Sequence, residues 1–206
     1  DAVRYAVCYP IDKDLFGLEP HYTGVLTRLE IMKKIFITFF LILNFIYPCF
    51  AGVDFDGTDD YIEVPSADSI KMASSLITIA AFVKFDSTKW QTIVDKRFSS
   101  SNLYWFGLSN TDNYVFFGVD STSISNSHNN TKLSTGTWYH LVVTYNGSGG
   151  TFYVNGVADG SPSNMASIDG NDTVLRVGSE SGGGTYWDGI ISYVAIWNVV
   201  LTQAEV

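Results

Sequence analysis

Val53-Asp54-Phe55-Asp56-Gly57-Thr58-Asp59-Asp60-Tyr61-Ile62-Glu63-Val64 holds two short strand-like runs, Val53 to Phe55 and Tyr61 to Val64, around a tight acidic turn. Asp56-Gly57 is a turn dipeptide, because glycine accepts the positive φ that tight turns demand. Asp56, Asp59 and Asp60 crowd onto this turn. Carboxylates held so close repel one another unless they are solvated, hydrogen-bonded or bridged by a cation. Hard oxygen ligands of this kind suit Ca²⁺. The bland alternative is a solvated acidic hairpin turn, and the spacing is not that of an EF-hand loop.

Outward from this stretch, from Gly52 onward, short apolar runs alternate with Gly, Asn, Asp and Ser. Residues 76–85, 92–96, 103–108, 114–119, 138–145, 151–154, 174–178 and 188–197 are rich in β-branched and aromatic strand formers. Asn155-Gly156 between Val154 and Val157 is a strong hairpin signal, since Asn-Gly suits a type I′ turn. Leu201 to Val206 reads as the start of a helix. No helical period of useful length follows Val53, and no internal repeat is evident. Many short strands separated by turn chemistry indicate an all-β sandwich or barrel.

The first 51 residues read differently. Met32-Lys33-Lys34 resembles a true start. A short apolar run from Ile35 to Ile46 follows, then Pro48, Cys49 and Ala51. A basic region, an apolar region and a small residue at the end make residues 32–51 a signal peptide, with cleavage expected after Ala51. The run is too short for a permanent membrane span. Residues 1–31 show no sustained period and are expected to lie upstream of the start. The sandwich domain is therefore expected over residues 52–206, and its C-terminal end is expected to be truncated.

The formal net charge of −9 argues against nucleic acid or an anionic membrane surface as partner. It is compatible with cations and neutral polymers. Both cysteines, Cys8 and Cys49, precede Gly52, so the domain has neither disulfide nor thiolate metal site.

The order of Phe55-Asp56-Gly57, Ile77 to Lys84, Gly136 to Tyr145, Phe152 to Gly156, Leu175 to Gly178, and Asp188 to Trp197 with Leu201-Thr202 and Glu205 carries a resemblance. Together these pieces resemble the laminin-G-like, concanavalin A-like lectin/glucanase superfamily across residues 53–206. The resemblance implies a jelly-roll β-sandwich of two antiparallel sheets. It also implies a Ca²⁺ site near the rim and a module that binds glycans or proteins. In the resembling family the early Phe-Asp-Gly turn and the late Asp-Gly lie on neighbouring first and last strands. That implies a metal site of Asp56, Asp59, Asp60 and Asp188, with backbone carbonyls around Gly57 and Ile190 as further ligands.

Glucanases of the superfamily carry alternating carboxylates on one strand, which sets acid and nucleophile on one face. Glu63, Glu180 and Glu205 do not stand in such a run. No nucleophile elbow or zinc-ligand spacing appears either. A non-catalytic module is therefore expected. Exposed aromatics stack on the apolar C–H faces of sugars, and Trp90, Tyr114, Tyr186 and Trp187 are the candidates, near strand ends or loops. Trp105, Trp138 and Trp197 are expected in the core, and His140 as a core or rim residue. The reading is a secreted, extracellular, lectin-like module with structural Ca²⁺ that binds glycan. The alternatives are an adhesive module of a larger surface protein that contacts protein partners, with further domains on the same chain, and a glycan-degrading enzyme.

Overall fold

The computed structural model describes residues 52–72, 75–97, 103–110, 112–119, 127–162, 168 and 172–206. The strands are β1 (Val53–Asp56), β2 (Ile62–Val64), β3 (Leu76–Phe85), β4 (Gln91–Asp95), β5 (Tyr104–Leu108), β6 (Val115–Val119), β7 (Trp138–Asn146), β8 (Gly150–Val154), β9 (Val157–Ala158), β10 (Leu175–Val177) and β11 (Asp188–Trp197). One 3-10 turn, Asp68–Ile70, lies between β2 and β3. The expected signal-peptide helix and the upstream residues 1–31 lie outside the described residues. Among the described residues no helix is long and apolar enough to cross a membrane.

The strands form two antiparallel sheets. One has six strands in the order β1-β11-β3-β7-β8-β9, the other five in the order β2-β10-β4-β5-β6. This all-β arrangement fits the expected jelly-roll sandwich. Alternation along each strand builds the core between the sheets. On β3, Ile77, Ile79, Ala81, Val83 and Phe85 point into it. Tyr104, Phe106, Val115 and Phe117 do the same from the five-stranded sheet.

The opening stretch does not form a hairpin. β1 pairs with β11 in one sheet, whereas β2 pairs with β10 in the other. The acidic turn is thus a corner at which the chain crosses between layers. Phe55 explains the switch: it is buried in the core and so anchors β1 to the six-stranded layer. Asn155-Gly156 does form its hairpin, with φ of 53° and 79° joining β8 to β9. Leu201 to Val206 makes a single turn rather than a helix. Thr202 and Glu205 nevertheless form a side-chain cap, with the Thr202 N–H and hydroxyl donating to Glu205 Oε2 at 2.8 and 2.9 Å.

Three tryptophans depart from the expected core positions. Trp105 is buried, but on the outer side of the five-stranded sheet, since its neighbours Tyr104 and Phe106 face the core. Trp138 and Trp197 stand on the outer side of the six-stranded sheet, and Trp197 is 38% exposed. A two-layer sandwich has four faces, and strand alternation alone does not say which set of faces is buried.

Candidate functional site

The acidic corner comes first. Oxygens of Asp56, Asp59 and Asp60 lie within 4.8 Å of one another. Gly57 turns the chain with φ of 77°. The Thr58 N–H donates to Asp56 Oδ1 at 2.8 Å and the Asp56 N–H to Asp60 Oδ2 at 3.2 Å. These bonds fold the three carboxylates toward one another. Asp188 begins β11 directly opposite Asp56, with the two Cα positions paired across the strands. A Cβ added to Gly57 would come within 2.8 Å of the Asp188 Cβ, so only glycine fits this approach.

A hard cation fits the donor chemistry of this trio. One expected ligand is already engaged, because the Gly57 carbonyl accepts a hydrogen bond from Lys89 Nζ at 2.7 Å. Lys89 thus brings a cation of the protein's own to the corner. Ile190 lies within the ladder, paired with Asp54 on one side and Lys84 on the other. Gln91 fixes Asp188 from below, its Oε1 accepting from the Asp188 N–H at 2.8 Å.

The second feature is the outer face of the five-stranded sheet. Phe116 and Trp105 sit on neighbouring strands with centroids 3.8 Å apart. Trp90 packs edge-on against Phe116 at 5.6 Å and tilts toward Trp105 at 6.1 Å. The Trp105 indole lies across Gly118, where a Cβ would collide with its Nε1. Tyr114, two residues before Phe116 and so on the same side, stacks on His128 at 5.0 Å. His128 Nδ1 lies 2.7 Å from the Asn129 carbonyl, and with the proton on Nδ1 its Nε2 is left as an acceptor. Two of the expected stacking residues, Trp90 and Tyr114, are therefore half-buried on the same side of the sheet, whereas Phe116 and Trp105 on that side are buried.

An ion-pair cluster adjoins this surface. The Arg97 guanidinium stacks 4.1 Å above the Trp105 ring. It donates twice to Asp95, from Nε at 2.9 Å and from Nη2 at 2.6 Å, and reaches Glu180 at 3.5 Å. Ser181 Oγ donates to Asp95 at 3.2 Å. Asp95 is fully buried. Burial pushes its carboxyl upward, and the Arg97 charge and hydrogen bonds pull the other way without cancelling the rise. Glu180 is raised by burial first, with Arg97 opposing and the Asp95 charge adding. Sequence reading missed this cluster, because Asp95 and Glu180 are far apart in the chain. The Asp95-Lys96-Arg97 spacing was the only available signal.

The other two aromatic candidates go elsewhere. Tyr186 is half-buried on the loop before β11, its hydroxyl against Gly183. Trp187 is a correction: it is fully buried, packs edge-on against Phe85 at 6.3 Å, and has no face for a sugar. Alternation explains this. Asp188 starts the ladder at the rim, which turns its predecessor inward.

Comparison with known proteins agrees with the fold. No curated protein matches the sequence. Domain 4 of an extracellular GH43 arabinanase from Geobacillus stearothermophilus, solved with arabinotriose, superposes with a TM-score of 0.61 at 20% identity, over 75% of this chain and 74% of that one. Mouse laminin α1 domains LG4-5 give 0.56 at 14% identity, over 75% of this chain and 43% of that one. A putative carbohydrate-binding protein from Bacteroides ovatus gives 0.53 at 21% identity, over 75% of this chain and 44% of that one. This chain thus spans less than half the length of the latter two. The profile of the concanavalin A-like lectin/glucanases superfamily matches residues 56–206, and the chain belongs to that superfamily.

Proposed function

We propose that this chain is a secreted, non-catalytic, lectin-like module that binds glycans on the outer face of its five-stranded sheet. The observation that carries the reading is Tyr114 stacked on the exposed His128 ring, with half-buried Trp90 on the same side packed against buried Phe116, which leaves Trp90, Tyr114 and His128 as the rings on which sugars can stack. Likeness to an arabinanase domain solved with arabinotriose and to a putative carbohydrate-binding protein supports the same class of ligand. Residues 32–51 act as the signal peptide and residues 52–206 as the mature domain.

The carboxylates beside this face favour binding over hydrolysis. A glycosidase needs an acid and a nucleophile or base free to reach the scissile bond. Asp95 is buried, and Arg97 and Ser181 occupy its oxygens. Ca²⁺ binds at Asp56, Asp59 and Asp60, with Asp188 beside them, and its role is structural. A glycan array read alongside a hydrolysis assay tests the proposal. Saturable binding without turnover, weakened in Trp90→Ala and Tyr114→Ala, is the expected result. Turnover would place the chain among the glycan-degrading enzymes. Absence of any glycan ligand would favour an adhesive module that contacts protein.

A further inference from the structure

Beside the aromatic rings, one row of side chains crosses the whole five-stranded sheet. Glu63 on β2 pairs with Arg176 on β10, Arg176 with Asp95 on β4, Asp95 with Trp105 on β5, and Trp105 with Gly118 on β6. Leu175 and Val177 on either side of Arg176 pack in the core, as do Tyr104 and Phe106 around Trp105, so the row faces outward. Two guanidiniums are built into it. Arg97 lies over the Trp105 ring and is held twice by Asp95. Arg176 lies 4.2 Å over the Tyr61 ring, donates from Nε to Glu63 at 3.1 Å and reaches the Glu180 carbonyl from Nη1 at 3.4 Å. Ring and carboxylate together fix each fork before any ligand arrives.

We propose that this ionic row is the polar half of the glycan site, in which Arg97, Arg176 and Glu180 hydrogen-bond to the hydroxyls of a neutral oligosaccharide, a role that rests on the glycan reading of this face. Among the described residues no acceptor takes Arg97 Nη1 or Arg176 Nη2. A guanidinium carries five N–H donors, so each fork keeps a pair for a ligand. Both side chains stay partly open, Arg97 at 21% and Arg176 at 18%. Glu180 supplies the acceptor. Its side chain is 32% exposed, its Oε2 faces Arg97 at 3.5 Å, and among the described residues no donor takes its Oε1. Asp95 is fully buried and acts by positioning Arg97. Donors fixed before binding lose little entropy on binding.

Charge and span narrow the ligand class. Each guanidinium is already paired, Arg97 with Asp95 and Glu180, Arg176 with Glu63. The ionised carboxylates of the row outnumber its guanidiniums, so a uronate or a sulfated sugar is held less well than a neutral one. Trp105 itself is buried under Arg97, so the guanidinium rather than the indole meets the ligand there. Arg176 and Trp105 stand two strands apart, about 10 Å. Trp90 reaches past Trp105 to Phe116 on β6. A single sugar ring cannot cover both halves, whereas a chain of linked sugars can.

Three resonances of the ¹⁵N-labelled full chain test this: the Nε–H signals of Arg97 and Arg176 and the indole N–H of Trp90, assigned by single Arg→Lys and Trp→Phe variants. Arabinotriose, cellotriose and trigalacturonate are titrated separately at millimolar concentration. At least one neutral trisaccharide should shift all three signals along a single saturation curve, and bind more tightly than trigalacturonate. Glu180→Ala should weaken that binding at least about tenfold. Glu180→Gln keeps an acceptor and should weaken it less, and Asp95 still holds Arg97 in both variants. Saturation at Trp90 with both arginine signals unmoved overturns the ionic half and leaves the glycan reading standing. Unchanged affinity in a Glu180→Ala protein that melts like the parent overturns it too. Tighter binding of trigalacturonate overturns the neutral class of ligand. If no sugar moves any of the three signals, the ionic half falls together with the glycan reading.

Discussion

Asp56 and Asp188 stand opposite one another across β1 and β11, the first and last strands of the domain. Asp59 and Asp60 fold back toward Asp56 on the same corner. A cation here would tie β1 to β11. We expect Ca²⁺ at a hundredfold excess over its dissociation constant to add about 2.7 kcal/mol. At roughly 2–4 °C per kcal/mol that raises Tm by about 5–10 °C. Chelator should reverse the shift, and Asp59→Asn with Asp60→Asn should abolish it. A melting curve indifferent to Ca²⁺ removes the metal from the proposal.

Lys89 and the ion compete for the same corner. Lys89→Met removes the ammonium that binds the Gly57 carbonyl. Without Ca²⁺ the variant should be less stable by about 1 kcal/mol, the worth of one hydrogen bond. Its gain from Ca²⁺ should exceed that of the parent, because a positive charge and one blocked carbonyl have gone. Melts of both proteins with and without Ca²⁺ check this, and equal gains contradict it.

Trp187 holds the core rather than a ligand. Trp187→Ala should cost about 3–5 kcal/mol in urea unfolding. Glycan affinity per folded molecule should stay unchanged, in contrast with Trp90→Ala.

The Asp95–Arg97 pair should leave a signature in acid. Burial raises the Asp95 carboxyl above its usual 3.8. Between that value and the folded one, the native state keeps a proton that the unfolded chain has released. Stability from this group therefore declines as pH rises through the window. Arg97→Met removes the opposing charge, moves the upper limit of the window higher and steepens the decline. Urea midpoints between about pH 4 and 7 measure it. At neutral pH the variant should be about 3 kcal/mol less stable, because a buried charge loses its partner.

His140 acts in the other sense. Burial lowers its imidazole below the usual 6.5. As pH falls from 6.5 toward the folded value, the unfolded chain takes up a proton that the native state refuses, so stability is lost. His140→Gln should flatten that part of the pH–stability curve. An unchanged slope would assign it to other groups.

Residue order alone determined the class of fold. Strand formers over 76–85, 138–145 and 188–197, with Asn155-Gly156 between β8 and β9, give an all-β chain whatever the tertiary detail, because these signals are local. The acidity of the turn after Phe55 was equally local. What only the tertiary structure decided was which residues meet. The turn that read as a hairpin became a corner between layers once Phe55 entered the core and β2 joined β10. Asp95 and Glu180 met through Arg97 across a gap in sequence that no local pattern spans. Trp187 and Trp197 exchanged expected places, the first buried and the second exposed. Strand alternation divides side chains into two sets but does not say which set faces the partner sheet, and only the packing of the layers makes that choice.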